Sequence, residues 1–250
     1  MKLININIEG DKHFDTVIPF IEKEKPDVLC LQEIFCKDET RFQSLGYTCS
    51  FLPMTQKMHD GTWSEFGTLL CSRGGMRAIQ TAYYLNANNE LPQFDSTRGK
   101  ESILEVKYGV LSAIVDHEGT PYHIATTHFT WTPDGAVPSD AQRESMRVFL
   151  AHIKTLSAHV ISGDFNIPRH HNPLYGELIQ HYKDAVPETF ASSLDATLHR
   201  LGNNPDKRHL FTDYMVDYVL VQEPYVAEDV RLEFGISDHA AVVAHIKKTI

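Results

Sequence analysis

Cysteine is scarce in this sequence, long apolar runs are missing, and basic charge is in deficit. Cys30, Cys36, Cys49 and Cys71 are the four cysteines among 250 residues, and no two form a Cys-x-x-Cys pair. That argues against both a disulfide framework and a thiolate zinc site. Cys30 and Cys71 lie inside apolar, strand-like runs, so reduced thiols are expected. No apolar run approaches the roughly 20 residues that a membrane-spanning helix needs. The opening MKLININIEG reads as a strand rather than as a basic segment followed by an apolar one, so no secretory leader is expected. These absences predict a cytoplasmic protein without a membrane partner. Acidic side chains outnumber basic ones, 33 to 23, for a net charge of -10, which disfavours loose, sequence-independent binding to a polyanion. Small anionic substrates, or a nucleic acid gripped locally, stay open. No Ser/Gly/Pro-rich linker, charge block or internal repeat divides the chain, so a single domain over 1–250, acting as a monomer, is expected.

What is present alternates between two periods. LININI (3–8) reads as a buried strand, and 14–27 as an amphipathic helix with Phe14, Val17, Ile18 and Ile21 on one face. DVLCLQEIF (27–35) is a second buried strand, which makes a crossover unit and predicts parallel pairing. Strands are expected at 68–73, 79–85, 102–108, 110–116 and 122–129, with hairpins around Gly109 and around Glu118-Gly119. Ser139, Asp140 and Glu144 introduce a helix over 140–157, and 174–182 reads as a short helix. Strands at 159–166, 214–221 and 240–246 complete the pattern. Mixed strand directions with helices outside imply an α/β protein of two sheets packed face to face, each covered by helices.

Polar residues then recur where these strands end. Asn7 closes the first strand, and Glu33 follows the apolar run Val28 to Leu31, where an unpaired carboxylate would be costly. His128 ends IATTHF; Asp164 and Asn166 follow VIS across Gly163, which is read as permitting a tight turn. Asp217 interrupts YMVDYVLV, and Asp238 and His239 precede AAVVAHI. Each alone has a structural explanation, but so many acids, amides and imidazoles at core strand ends are poorly explained by chance. Carboxylates without accompanying cysteine select Mg²⁺ or Mn²⁺ over zinc. An imidazole with an aspartate partner has a fixed tautomer and a stabilised imidazolium. Metal-assisted hydrolysis of a phosphoester fits this set.

The ordered motifs DVLCLQE, THF, SGDFN, MVDYVLV and SDHAAV, with Asn7 in NIEG ahead of them, resemble the endonuclease/exonuclease/phosphatase superfamily with the deoxyribonuclease I-like fold. The resemblance runs from Asn7 to His239 and implies a four-layered α/β sandwich. It also implies roles: Glu33 as principal metal ligand, Asn7 as the amide organising that site, and Asp238 as a second acid at the metal. Asp164 and Asn166 match the pair that handles the attacking water and contacts the phosphate. His239 matches the histidine at the scissile phosphate, Asp217 the carboxylate that orients it, and His128 a histidine at the phosphate or leaving group. Whether His239 or Asp164 is the base stays open. Arg169, in GDFNIPR, resembles the arginine of tyrosyl-DNA phosphodiesterases and could pair with a phosphate oxygen. Trp131, in the insertion 129–138, could stack on a base or another planar group at the rim.

The inositol polyphosphate phosphatase branch is disfavoured, because Ile161-Ser162 precedes Gly163 where that branch has Trp, and no Pro-Trp-Cys-Asp-Arg stretch is present. Secreted deoxyribonucleases carry disulfides that are not expected here. The reading is therefore a Mg²⁺- or Mn²⁺-dependent phosphoesterase acting on a phosphodiester, with DNA or RNA as the leading substrate class. The alternatives are a phosphomonoesterase on a small anion and a non-catalytic binding protein on the same fold. His170-His171 and the segment 195–204 have no assigned role.

Overall fold

A computed structural model describes residues 1–133 and 135–249; Asp134, within the 129–138 insertion, lies outside the described residues. In chain order the elements are β1 (Lys2–Asn7), α1 (Phe14–Glu24), β2 (Val28–Phe35), α2 (Glu39–Ser44), β3 (Thr48–His59) and β4 (Thr62–Ser72). Next come β5 (Met76–Tyr83), α3 (Lys100–Glu105), β6 (Gly109–His117), β7 (Thr120–His128), α4 (Asp140–Thr155) and β8 (Val160–Asp164). The chain closes with α5 (Leu174–Ile179), β9 (Lys183–Asp184), β10 (Asp217–Val221), β11 (Tyr225–Glu233) and β12 (Ala241–Lys248). They form two mixed sheets of six strands, ordered β11-β12-β1-β2-β4-β3 and β5-β6-β7-β8-β10-β9, flanked by helices in an α/β sandwich.

Alternation along β1 shows how the layers are built. Ile4 and Ile6 pack outward with Val17, Phe20 and Ile21 of α1, while Leu3 joins Val110, Ile124 and Val219 in the core between the sheets. Burying one such side chain completely contributes about 1.5–3 kcal/mol. Asn5 faces the same interior, and the Gln32 amide donates to its Oδ1 (2.9 Å) and to Thr126 Oγ1 (3.2 Å), tying the sheets together by a buried polar link. Over the second sheet, Phe149 of α4 packs against Phe129 and Phe165. Ser139 caps α4 by accepting from the Gln142 N–H.

Four sequence expectations are corrected. Residues 102–108 are not a strand: Lys100–Glu105 is helical, and the Asn86 amide donates to the carbonyls of Leu104 (2.7 Å) and Val106 (2.9 Å) where the helix ends. Gly109 accordingly opens β6 rather than turning a hairpin, whereas the hairpin at Glu118-Gly119 is present between β6 and β7. The cysteines are not all reduced, since Cys49 and Cys71 are joined by a disulfide. That pairing comes from β3, which sequence periodicity missed and which aligns Cys49 directly opposite Cys71 of β4. Gly163 is not a turn residue either. It lies within β8, where a Cβ would sit 2.0 Å from the Thr127 carbonyl oxygen of β7, so the sheet needs glycine for close approach. Among the described residues, no helix is long and apolar enough to cross a membrane.

Candidate active site

Strand register delivers the polar residues to one place. β1 pairs parallel with β2 and β7 parallel with β8, so the carboxyl ends of these strands lie at common edges. His128 stands opposite Asp164, and Asp164 opposite Asp217, which opens β10 rather than interrupting a strand. Glu33 is the extra residue of a bulge between Gln32 and Ile34 against β4, with φ +57°. Such a conformation is costly for a residue with a Cβ, and here it re-aims the carboxylate relative to its strand.

The Asn7 amide bridges the two sheets, donating to Glu33 Oε1 (3.3 Å) and to Asp164 Oδ2 (3.1 Å). Asp164 Oδ1 accepts from the Asn166 N–H at 2.9 Å, and His128 Nε2 lies 3.5 Å from Asp164 Oδ2. His239 Nδ1 is 2.7 Å from Asp217 Oδ2 and 3.9 Å from Asp164 Oδ2. With its Nδ1 proton committed to Asp217, His239 has Nε2 left for a substrate. Lys57 Nζ stands 3.6 Å from Glu33 Oε2.

Charge sets the protonation of this cluster. Burial alone would push the His239 imidazole down, but the carboxylates of Asp217, Asp164 and Asp238 outweigh it and hold the pKa well above its ordinary value. For Glu33, burial pulls upward, yet the Lys57 ammonium, His128, the Asn7 amide and His239 hold it at about 2. Asp238 is pushed up to about 6, first by burial and then by the negative charge of Glu9 and Glu33, with His239 opposing. Crowded carboxylates of this kind are the environment that a divalent cation relieves. Glu9, His13 and Asp238 also bring one ligand atom each to within 4.8 Å of one another. Asp164, Asp217 and His239 converge equally closely, but the 2.7 Å imidazole–carboxylate bond accounts for that grouping. The Glu9 and Asp238 carboxylates with the His13 imidazole are a donor set without thiolate, and with the Glu33 carboxylate, whose charge also acts on Asp238, they suit a hard divalent cation.

Of the ten residues singled out in the sequence, Asn7, Glu33, His128, Asp164, Asn166, Asp217, Asp238 and His239 come together here. The Asn166 side chain is spent partly on fold, its amide donating to the Phe129 carbonyl at 2.9 Å. Trp131 is half-buried on the segment after Phe129, whose N–H donates to Asp164 O at 2.8 Å. Arg169 corrects the expectation of a phosphate contact. Its side chain is 3% exposed, and its guanidinium donates to Asp184 Oδ2 (2.7 Å) and to the carbonyls of Val186 (3.0 Å) and Pro187 (3.2 Å). A buried guanidinium must be paired, and both terminal nitrogens of this one are bonded within the fold while its Nε is buried without a partner. His171 Nε2 lies 2.7 Å from Asp213 Oδ2, an exposed hydrogen-bonded contact rather than part of a metal-ligand group.

Sequence reading missed Glu9, His13, Lys57 and Tyr108. Glu9 lies two residues after Asn7 and four before His13, so the spacing in NIEGDKH could have suggested them. Lys57 was hidden because its strand, β3, was not recognised. Tyr108 is buried and accepts from the Trp131 backbone; burial first, then the charges of Glu33 and Asp164, push its phenol well up.

A family model described as the Endonuclease/Exonuclease/phosphatase family matches residues 4–239. Among solved structures, the chain is similar to an endonuclease/exonuclease/phosphatase from Beutenbergia cavernae, at 20% identity and TM-score 0.73 over 100% of this chain and 72% of that one. It is also similar to the human Nocturnin catalytic domain with bound sulfate anion, at 14% identity and TM-score 0.66 over 100% of this chain and 94% of that one. A third is the 3' phosphatase NExo from Neisseria bound to product DNA hairpin, at 16% identity and TM-score 0.66 over 99% of each chain. At these identities the likenesses show the fold. No curated protein matches the chain by sequence.

Proposed function

The chain belongs to the endonuclease/exonuclease/phosphatase family, and from this we propose that it hydrolyses a phosphodiester with the help of Mg²⁺ or Mn²⁺, nucleic acid being the leading substrate class. One observation carries the reading: a carboxylate, an amide and a carboxylate-bound imidazole converge across two sheets, with Asn7 linking Glu33 to Asp164 and His239 held 2.7 Å from Asp217.

Glu33, Asp238 and Glu9 are the residues that would hold the ion. When bound, it supplies positive charge to the phosphoryl oxygens. The chain's own groups do the rest. Asp164 is fixed from two sides, by the Asn7 amide and the Asn166 N–H, so its carboxylate is placed to orient the attacking water and accept its proton. His239 keeps its proton because Asp217 and Asp164 stabilise the imidazolium, which suits it to donate from Nε2 to a non-bridging oxygen as charge builds there. This division favours Asp164 as the base and His239 as the cationic stabiliser. His128, beside Asp164, is the second imidazole available to the phosphate or leaving group.

Nucleic acid is favoured by the half-buried Trp131 beside the site, and by the DNA hairpin product in the NExo structure. A second reading, hydrolysis of a phosphomonoester, draws on the net charge of -10, which suits a small anion better than a long polyanion. The two separate on a substrate panel. The diester reading expects labelled oligonucleotides and bis-p-nitrophenyl phosphate to be cleaved in preference to p-nitrophenyl phosphate and 3′-phosphorylated ends. Faster release of inorganic phosphate from the monoesters would replace it.

A further inference from the structure

The segment 195–204 is fastened to the backbone of the catalytic cluster. Leu194 bridges to His239, the Asp195 N–H donates to Asp238 O at 2.8 Å, and the Ala240 N–H donates to Ser193 O at 2.7 Å. Asp195 then organises the start of the loop. Its Oδ1 accepts from the N–H (2.7 Å) and hydroxyl (2.6 Å) of Thr197 and from the Leu198 N–H (3.2 Å), and its Oδ2 accepts from the Gly235 N–H (2.6 Å). Gly202 completes the fold of the loop, since a Cβ there would lie 1.9 Å from the Ala196 carbonyl oxygen. A loop bonded in this way holds its side chains in fixed positions relative to Asp238 and His239.

His199 sits at the centre of this loop. Its N–H donates to Asp195 O at 2.9 Å, its carbonyl accepts from the Gly202 N–H at 2.8 Å, and its ring packs edge-on to Phe211 at 5.4 Å. Its Nδ1 accepts from the Leu201 N–H at 3.1 Å, which leaves the ring proton on Nε2. We propose that His199 is a substrate-contacting residue of the site, a neutral imidazole whose Nε2–H donates to a phosphoryl oxygen of the phosphoester. Burial first, and then the positive charges of His239 and Arg200, push the ring down to about 4, with the Glu9 and Glu33 carboxylates of the site opposing. A neutral donor adds a hydrogen bond to an anion without adding a second cation beside His239.

This inference rests on the phosphoesterase reading, so its test has one arm that needs no turnover. Asparagine can replace the acceptor at the Nδ1 position and glutamine the donor at the Nε2 position. His199→Gln is expected to keep kcat/KM within a few-fold of wild type, and His199→Asn and His199→Ala to lose about 10- to 100-fold, the range for a hydrogen bond to a charged group. A residue that only braced the loop would show the opposite order, with His199→Asn active and His199→Gln impaired, and that result would overturn the proposal. In the second arm, long-range ¹H–¹⁵N spectra of the imidazoles in the wild-type protein are expected to show His199 as the Nε2–H tautomer at neutral pH. Its Nε2 resonance should shift on titration with inorganic phosphate. A His199 signal indifferent to phosphate, while His239 responds, would also overturn it. Wild type inactive on every phosphoester would sink the function reading instead, and the phosphate titration would still decide the placement of His199.

Discussion

The proton on His239 is held by a carboxylate that never meets water. Asp217 is fully buried, and its Oδ2 lies 2.7 Å from His239 Nδ1, so the imidazole is the cation that its charge meets. Asp217 therefore acts through His239, as a positioning residue. Because the His239 pKa is raised, the imidazolium persists through neutral pH, and activity that depends on it falls as pH rises through the raised value. Asp217→Asn is expected to lower kcat by about 10²–10⁴-fold and to move the alkaline limb of the pH–rate profile to lower pH. An unmoved limb would remove Asp217 from this role. Arg169 yields a contrasting prediction. Arg169→Ala strands Asp184 in the interior and is expected to cost about 3–5 kcal/mol in denaturant unfolding, with KM for a short diester unchanged. A raised KM with intact stability would restore the phosphate contact that its motif suggested.

At the scale of the element, β7 and β8 must approach closely to set His128 beside Asp164, and Gly163 permits it. Gly163→Ala is expected to destabilise by about 1–3 kcal/mol or more, as overpacking against backbone does, measured as a lower urea midpoint. Unchanged stability would mean that the strands have slack. The elements legible in the sequence were those with strong patterns, such as LININI and DVLCLQEIF, whose buried runs fix β1 and β2. The strands that escaped notice had weak ones. β11 is a half-buried, charged edge strand, and β3 carries Pro53 at a bulge, so neither shows a clean alternation. SILEVKY was misread because β-branched and aromatic residues at its ends outweighed the short helix between Gly99 and the Asn86 amide. The residues that converge between the sheets were legible as candidates, because a carboxylate or imidazole closing an apolar strand is costly unless something uses it. Glu9 and His199 were less so, since in a polar turn or loop the same residue types cost nothing.

The whole molecule carries a net charge of -10, and that bears on how it would meet a nucleic acid. A protein that neutralises 6–10 phosphates loses about 10³–10⁵ in affinity between 50 and 200 mM salt. This acidic chain is expected to grip only a few phosphates around the site, so kcat/KM on an oligonucleotide should change by less than about tenfold over that range. A steep decline with salt would point instead to an extended basic track along the surface. The central claim, that the cluster joining the two sheets is a metal-assisted phosphoesterase site, is tested most directly by the hydrolysis of bis-p-nitrophenyl phosphate and a labelled oligonucleotide by wild type and His239→Ala, each with Mg²⁺ or Mn²⁺ and again with EDTA. The account predicts turnover in wild type that EDTA abolishes and that His239→Ala lowers by at least about 10²-fold without loss of fold. Equal turnover by wild type and mutant, or turnover indifferent to EDTA, would contradict it.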